Sequence, residues 1–280
     1  MNKIQVLLAA AICGAIFSGT ASAVAQDAQS GYGSVVRVEG EASYSLGDDN
    51  WHPLVAGKAL PAGAAIRTGH NGVVDVVLGK DLDLPQSVWR PSSIAFAPDA
   101  KVAGMASFKP SSEQNVIRLT PDTTLAIDKL TVTDTGADTV SDTELNLKKG
   151  KIFASVKKLT GASQYLIKLP SGIAGVRGTK FSISADGSTE VFESTGGGLV
   201  LSLIKTDSST FTCVVAPGQF FNPASGQQPL SISPEVLKML ERLFCALPTF
   251  YQQVHFCHHD DSTYCYISPL HSVGNEHGGD

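Results

Sequence analysis

The residues best suited to chemistry lie near the C-terminus, where cysteines and histidines are concentrated. Cys245, Cys257 and Cys265 lie close together in the sequence, His255 precedes Cys257, and the run Cys-His-His-Asp-Asp begins at Cys257. Thiolate and imidazole groups are ligands that zinc and copper accept. In an oxidising compartment the same cysteines form disulfides. The sequence has no Cys-x-x-Cys pair, so we favour disulfides and predict neither a bound metal nor a cofactor.

Motifs for catalysis are weak. The run Ser155-Val156-Lys157-Lys158 matches Ser-x-x-Lys, but that motif needs its serine at a helix start beside further partners, and here the sequence is strand-like. The sequence contains neither Gly-x-Ser-x-Gly nor His-Glu-x-x-His. Asp134, Asp138 and Asp142 offer oxygen ligands of the kind calcium takes, but not at the spacing of a calcium loop, and a solvated turn extension is the simpler interpretation. The sequence predicts a protein that is not an enzyme.

Two sets of evenly spaced glycines each accompany an arginine. They are Gly57, Gly63 and Gly69 with Arg67, and Gly172, Gly175 and Gly178 with Arg177. Phosphate-binding loops need a Lys-Ser/Thr pair or a following helix, and β-rich sequence follows here, so phosphate binding is not expected. Glycine adopts backbone angles that a side chain forbids. We interpret both sets as turns in which each guanidinium donates to loop carbonyls, in preference to contacts with a carboxylate or a partner.

The first residues are typical of a secretion signal. Lys3 precedes an almost unbroken apolar run at 4–17, and Ala21-Ser22-Ala23 places small residues where signal peptidase cuts. The run is shorter than the roughly 20 residues of a membrane-spanning helix. We therefore predict a signal peptide at residues 1–23 and a periplasmic or secreted protein, with an uncleaved anchor as the alternative.

Beyond residue 34 the hydrophobic pattern has period two in short runs that mostly end at Gly, Pro or Asp. Such runs are typical of strands joined by turns. Predicted strands lie at 34–38, 73–78, 116–119, 124–127, 145–147, 152–156, 165–169, 180–184, 190–193, 199–204 and 211–215. Residues 80–115, with four prolines, and residues 131–142, rich in Asp and Thr, are predicted loops or insertions. The fold class is all-β, a sandwich or β-roll of many short strands with one C-terminal amphipathic helix.

That helix is predicted from its start signal. Ser233 offers an N-cap hydroxyl, Pro234 suits the first helical position and Glu235 is an acid in the first turn. Apolar residues then recur on one face, and Pro248 ends the run. We expect the helix to pack on the β domain, and residues 266–280 to form a loose tail.

Charge limits the class of partner. The net charge of the 280 residues is −5, so no basic excess exists to neutralise a phosphate backbone, and nucleic acid is not expected as a partner. A hydrophobic content of 42% is sufficient for a packed core.

Four motifs carry a family resemblance. Residues 51–69 read W-x-x-L-x-x-G-x-x-L-x-x-G-x-x-I-R-T-G, residues 145–152 read L-x-L-x-x-G-x-I, residues 170–181 read P-S-G-I-A-G-V-R-G-T-K-F, and V-A-P-G-Q follows at 215–219. In this order they resemble the FecR family, named for the iron-dicitrate sensor regulator. The resemblance covers residues 31–226 and implies a periplasmic β domain, leaving 227–280 as a C-terminal helix and Cys/His-containing tail. The motif residues are interpreted as structural: Trp51, Gly57, Gly63, Arg67, Gly69, Gly172, Gly175, Arg177, Gly178 and Thr179.

The sequence also departs from that family. Its best-known regulators carry a cytoplasmic sigma-factor-binding segment before a membrane helix, whereas only residues 1–3 precede the apolar run here. We therefore expect an exported, non-catalytic binding or sensing module that contacts protein or cell-envelope glycan and has no membrane span after signal cleavage. The alternatives are a membrane-anchored signalling regulator with an uncleaved N-terminus, and an enzyme with an unrecognised site.

Disulfides are the last expectation. Without Cys13, in the signal segment, four cysteines remain: Cys213, Cys245, Cys257 and Cys265. Four cysteines allow three pairings, among which the sequence does not choose. We predict that Cys213, in a strand, pairs with one of the other three and so staples the C-terminal segment to the β domain.

Overall fold

The computed structural model describes residues 28–48, 50–80, 90–91, 115–136, 138–225, 228–249, 251–257 and 263–269, with 90–91 and everything after Pro248 described as backbone. The first strands are β1 (Gln29–Ser30), β2 (Tyr32–Glu39), β3 (Ala42–Ser45), β4 (His52–Pro53), β5 (Ala59–Pro61), β6 (Ala65–Thr68), β7 (Val73–Gly79), β8 (Arg90–Pro91), β9 (Asn115–Leu119), β10 (Thr124–Asp134), β11 (Thr139–Lys149) and β12 (Lys151–Ser155). Then follow β13 (Gln164–Leu169), β14 (Gly172–Val176), β15 (Thr179–Ser184), β16 (Thr189–Ser194), β17 (Leu199–Ile204), β18 (Thr210–Val215), β19 (Gln219–Phe221), β20 (Leu230–Ser231), α1 (Pro234–Cys245), β21 (Pro248–Thr249), β22 (Tyr251–Cys257) and β23 (Thr263–Pro269).

Most strands belong to two large sheets. Sheet A has the order β18-β17-β14-β13-β11-β10-β6-β3-β4, with β1 beside β10, and sheet B has the order β20-β19-β16-β15-β12-β9-β7-β2-β5. The chain crosses repeatedly between them. For example, β12 in sheet B connects β11 and β13, which pair in parallel in sheet A. The short β8 pairs with β21, and β22 pairs with β23. The prediction of an all-β fold with a C-terminal helix is confirmed.

The main core lies between the sheets, because each strand turns alternate apolar side chains inward. In β11 the side chains of Leu145 and Leu147 are fully buried, while Glu144 and Asn146, which alternate with them, are partly exposed. Tyr165 and Phe181 are the largest fully buried side chains of this core. Residues of both sheets form one continuous hydrophobic cluster, so the sandwich from β2 to β19 shares a single core.

Helix α1 starts as its sequence predicts. Ser233 is the N-cap, its Oγ accepts a hydrogen bond from the Val236 amide, and Pro234 opens the helix. The helix ends at Cys245, with Ala246 as its C-cap. An N-cap hydroxyl satisfies an amide that has no partner within the helix, so this start is specified locally.

The apolar stripe of α1 covers the outer face of sheet B. Leu240 and Phe244 are buried in a second cluster with Val77 and Val116, and the Phe244 ring stacks on that of Phe192 at 5.5 Å between centroids. Sheet B is therefore apolar on both faces, one toward sheet A and one toward the helix.

Three expectations about irregular segments need correction. Residues 131–134 and 139–142, predicted as loop, extend β10 and β11 into a long hairpin, because Thr and Val are strand-forming residues and Asp134 is exposed. Tyr266–Pro269, predicted as loose tail, pairs with β22. Within the segment at 80–115, predicted as an insertion, Arg90–Pro91 pairs with β21, while 81–89 and 92–114 lie outside the described residues. Residues 1–27, which include the signal predicted at 1–23, and residues 270–280 also lie outside the described residues.

Candidate functional site

The first motif ends in a cation–π stack. Arg67 lies on β6, and its guanidinium carbon is 3.9 Å from the centroid of the Trp51 ring. The sequence predicts contacts with loop carbonyls for this side chain, but the structure places it on an aromatic ring instead. Nearby, Lys58 Nζ lies 4.8 Å from the Tyr44 ring centroid. Cations held over aromatic faces stabilise the local fold and cover faces on which a sugar would stack.

The glycines of this motif serve the same local fold. Gly57 and Gly63 lie in turns with φ of 89° and 91°, and Gly69 packs against Glu41. The motif thus shapes the short strands along one edge of the sandwich.

The motif at residues 170–181 forms a strand followed by a tight turn. Gly172 and Gly175 lie in β14, and Gly178 has φ of 62° in the turn that leads to β15. The Arg177 guanidinium donates to the Gly161 carbonyl at 3.0 Å, the loop contact that the sequence predicts. The buried Thr179 hydroxyl donates to the Arg177 carbonyl at 3.2 Å.

The motifs at residues 51–69 and 170–181 do not form one site. β6 and β14 are separated by β10, β11 and β13 in sheet A, which is four strand spacings or about 19 Å. Arg67 and Arg177 therefore act in separate places, and each contacts its own local structure.

The cysteines whose side chains the structure describes are free thiols. Cys213 is half-buried against the core between the sheets, where burial raises the pKa of its thiol, and Cys245 is exposed at the end of α1. Cys213 packs on the core between the sheets, whereas Cys245 lies at the end of the helix that covers the outer face of sheet B, and no bond joins them in the described structure. A bond from Cys213 to Cys257 or Cys265 stays a prediction.

The ribbon of β22 and β23 sets the register of the remaining cysteines. Cys265 pairs with His255, and Cys257 pairs with Thr263. Cys257 and Cys265 are thus diagonal neighbours, roughly 7–8 Å apart, beyond the roughly 4.4–6.8 Å between Cα atoms that a disulfide spans. Among the residues with described side chains, no group of three or more His, Cys, Asp or Glu is placed to hold a metal ion.

A buried ion pair, which the sequence analysis missed, lies under the C-terminal end of α1. Asp75 on β7 is fully buried, and Arg118 on β9 binds its carboxylate through two hydrogen bonds of 2.6 and 2.8 Å. Arg118 also donates to the Ala246 carbonyl at 2.7 Å. This pair fastens the helix to sheet B, which is a structural role.

A cleft opens at the end of the sandwich where the β10–β11 hairpin projects beyond sheet B. Its volume is about 260 Å³. One wall comes from sheet B and includes Leu78, Asn115 and Lys157, and the other comes from β10 and β11 and includes Leu130 and Thr143. Strands distant in sequence meet there, so the sequence alone does not reveal it.

The outer face of sheet A carries an exposed apolar patch, also missed from the sequence. Val200 is 45% exposed, Val214 is 52% exposed and Ile204 is 60% exposed. Val200 and Val214 are paired across β17 and β18, and the half-buried Leu166 and Ile173 continue the same face on β13 and β14. We call these five residues the apolar patch.

Comparison with known proteins supports the family resemblance. The family model described as FecR protein matches residues 108–196, which include β9 to β16 and the motifs at 145–152 and 170–181 but not those at 51–69 and 215–219. No curated protein and no solved structure matches the chain. No described helix has the length and hydropathy needed to cross a membrane. The chain is FecR-like, and residues 108–196 carry that likeness.

Proposed function

We propose that this protein is an exported, non-catalytic binding or sensing module that contacts a protein partner through the apolar patch. FecR is a signalling or regulatory family, typically associated with the cell envelope. A periplasmic or secreted location agrees with that association and with the secretion signal predicted at residues 1–23. Cell-envelope glycan is the alternative partner.

The observation that carries the proposal is the difference between the two outer faces. On sheet B, helix α1 buries the outward Val77 and Val116. On sheet A, the outward Val200, Ile204 and Val214 stay exposed in the described structure. The hydrogen-bonded Ser202 and Thr212 lie on the same face between the Val200–Val214 pair and Ile204. Exposed apolar surface rimmed by polar residues is typical of protein interaction sites.

The surroundings of the patch fit an interface. Strands β17 and β18 contain no charged residue, whereas β13, β11 and β10, which follow beyond β14 in sheet A, carry ion pairs, such as Lys168 with Asp128 and Glu144 at 3.1 and 2.7 Å. Protein interfaces combine an uncharged centre with a polar rim. Gly175 lies between Leu166 and Val200 in register, and the nearest atoms to a Cβ there would be 3.9 Å away, so the patch has a dent in which a partner side chain fits.

Two features of sheet A favour protein over glycan as the partner. The patch is aliphatic and the Ser202 and Thr212 hydroxyls on the same face bond each other at 2.9 Å, so the patch offers few groups to the hydroxyls of a sugar. Near the opposite edge of sheet A, the Trp51 and Tyr44 rings are each covered by a cation. The two histidines with described side chains are not placed beside a nucleophile. His70 pairs with Asp122 at the surface, and His52 contacts the Tyr44 ring. Neither arrangement provides an activated nucleophile.

Placing a charge in the patch tests the proposal. We expect Val214→Asp to weaken capture of the partner from envelope extract at least roughly ten-fold, because a buried unpaired carboxylate opposes association. Val55→Asp is the matched control, since Val55 is 63% exposed away from the patch, and it should bind like the wild type. Melting curves of both variants check folding. Equal capture by both aspartate variants would contradict the proposal.

Export has its own test. We expect the mature chain isolated from the envelope fraction to begin near Val24, as N-terminal sequencing would show, because small residues at Ala21 and Ala23 suit signal peptidase. A mature chain that begins at Met1 would instead favour the membrane-anchored regulator.

A further inference from the structure

We infer that the cleft at the open end of the sandwich binds a single sugar ring, and that the Thr143 hydroxyl is one of its hydrogen-bonding groups. This site does not depend on the apolar patch, since the cleft is lined by residues of β7, β9, β10 and β11, whereas the patch lies on β13, β14, β17 and β18.

The first observation is a buried hydroxyl that lines the cleft. Thr143 is fully buried, and its Oγ1 has no hydrogen-bond partner in the part of the chain that the structure describes. Buried hydroxyls in native proteins are nearly always paired. A ligand hydroxyl in the cleft would supply the missing partner.

Tyr165, a neighbour of Thr143, also carries a buried hydroxyl. Tyr165 lies opposite Thr143 across the parallel strands β11 and β13, and its hydroxyl is also buried without a partner among the described residues. Burial raises the pKa of Tyr165, so the phenol keeps its proton at neutral pH and remains a donor. The two hydroxyls belong to the same inward row, and of the two residues Thr143 is the one that lines the cleft.

The rest of the cleft lining combines apolar and hydroxyl-bearing residues, which suits a sugar. Leu78, Leu130 and Val132 form an apolar surface, and Thr139 and Ser141 continue the hydroxyl row of β11. Asn115 is held in place because its Oδ1 accepts from the Lys157 amide at 3.1 Å. A sugar ring presents C–H groups to apolar residues and hydroxyls to polar ones, which matches a site with few, placed polar groups on an apolar base.

The size and charge of the cleft restrict the kind of ligand that fits. The cleft volume of about 260 Å³ is below the roughly 300–1,000 Å³ of sites for drug-sized ligands, so one ring fits and an oligosaccharide would extend outside. Asp134 provides one acidic group, and Lys80 and Lys157 provide basic groups. The ligand is accordingly a neutral or singly anionic ring, either a free monosaccharide or the end of a glycan chain.

Titration of the full-length mature protein with defined sugars tests the site. The probes are glucose, N-acetylglucosamine, glucuronate and a soluble chitin oligosaccharide, followed by amide chemical shifts up to about 10 mM, where even millimolar affinity is visible. We expect saturable shifts at residues of β10 and β11 near Thr143. Stronger binding of the oligosaccharide would indicate a glycan end, and stronger binding of a single ring a free sugar. The absence of saturable shifts with all four probes would overturn the inference.

A matched pair of threonine variants separates binding from folding. Thr143→Val removes the unpaired hydroxyl, so it should weaken sugar binding roughly ten-fold and leave the melting temperature unchanged or higher. Thr123→Val is the control, because Thr123 is equally buried but its hydroxyl donates to the Lys151 carbonyl at 3.1 Å. That variant should melt earlier and keep its affinity for sugar. Unchanged sugar affinity in Thr143→Val would also overturn the inference.

Discussion

Replacing Arg118 with methionine should lower the free energy of unfolding by about 3–5 kcal/mol, because it leaves a buried carboxylate without its main partner. Asp75 is fully buried, and both its oxygens accept hydrogen bonds from Arg118. Arg37 Nη1 is 3.6 Å from Asp75 Oδ2 and offers only partial compensation. The variant also loses the bond from Arg118 to the Ala246 carbonyl, so the end of α1 loosens.

Chemical denaturation with two further variants makes this result specific. The double variant Asp75→Leu with Arg118→Met removes both charges and should recover much of the lost stability, since an apolar pair of similar size often replaces a buried ion pair. Lys180→Met breaks the exposed pair with Glu193 and should barely shift the unfolding midpoint. If Arg118→Met unfolds at the wild-type denaturant concentration, the pair does not fasten the helix.

The second large effect is expected at Gly178, where valine should cost about 2 kcal/mol or more. The backbone there has φ of 62°, a region that a β-branched residue occupies only under strain. A Cβ would also overlap Thr195 Oγ1. The Gly178 carbonyl accepts from the Thr195 amide at 2.7 Å, so the distortion would reach the turn before β17.

Gly175→Val is the matched control in the same motif. Its Cβ would have no atom closer than 3.9 Å, and its φ is not positive. Valine in a strand costs nothing in propensity, so the unfolding free energy should change by no more than about 0.5 kcal/mol. Thermal melts of both variants decide the matter: equal losses would mean that the turn conformation at Gly178 is not what the motif requires.

Local signals explain which parts of the fold were predictable. The Ser233-Pro234 start of α1, the β-branched run at 73–78 and the short apolar run at 199–204 follow from the residues themselves. The strand at β14 was not predicted, because its glycines resemble a turn. In the structure a Cβ on Gly172 would overlap the Ser202 carbonyl, so glycine is needed there for close approach of β17 rather than for a turn.

The candidate sites were less predictable, because they depend on strand order. Asp75 and Arg118 each interrupt an apolar strand, and that signal was available, but their pairing requires β7 and β9 to be neighbours. The cleft and the apolar patch are built from strands that are far apart in sequence. Period-two patterns show that Val200 and Val214 each lie on the face of their strand opposite the buried residues. They do not show that a helix covers sheet B and leaves this face of sheet A exposed.

Site-specific photocrosslinking in cells tests the central claim most directly. A photoreactive amino acid is placed at Val214 in the apolar patch and, as the matched position, at the exposed Val55. The proposed function predicts that position 214 yields one adduct of defined mass with an envelope protein, that Ile204→Asp abolishes it, and that position 55 does not form it. Identical adducts at both positions, or none at position 214 in folded and exported protein, would contradict the claim that this face binds a protein partner.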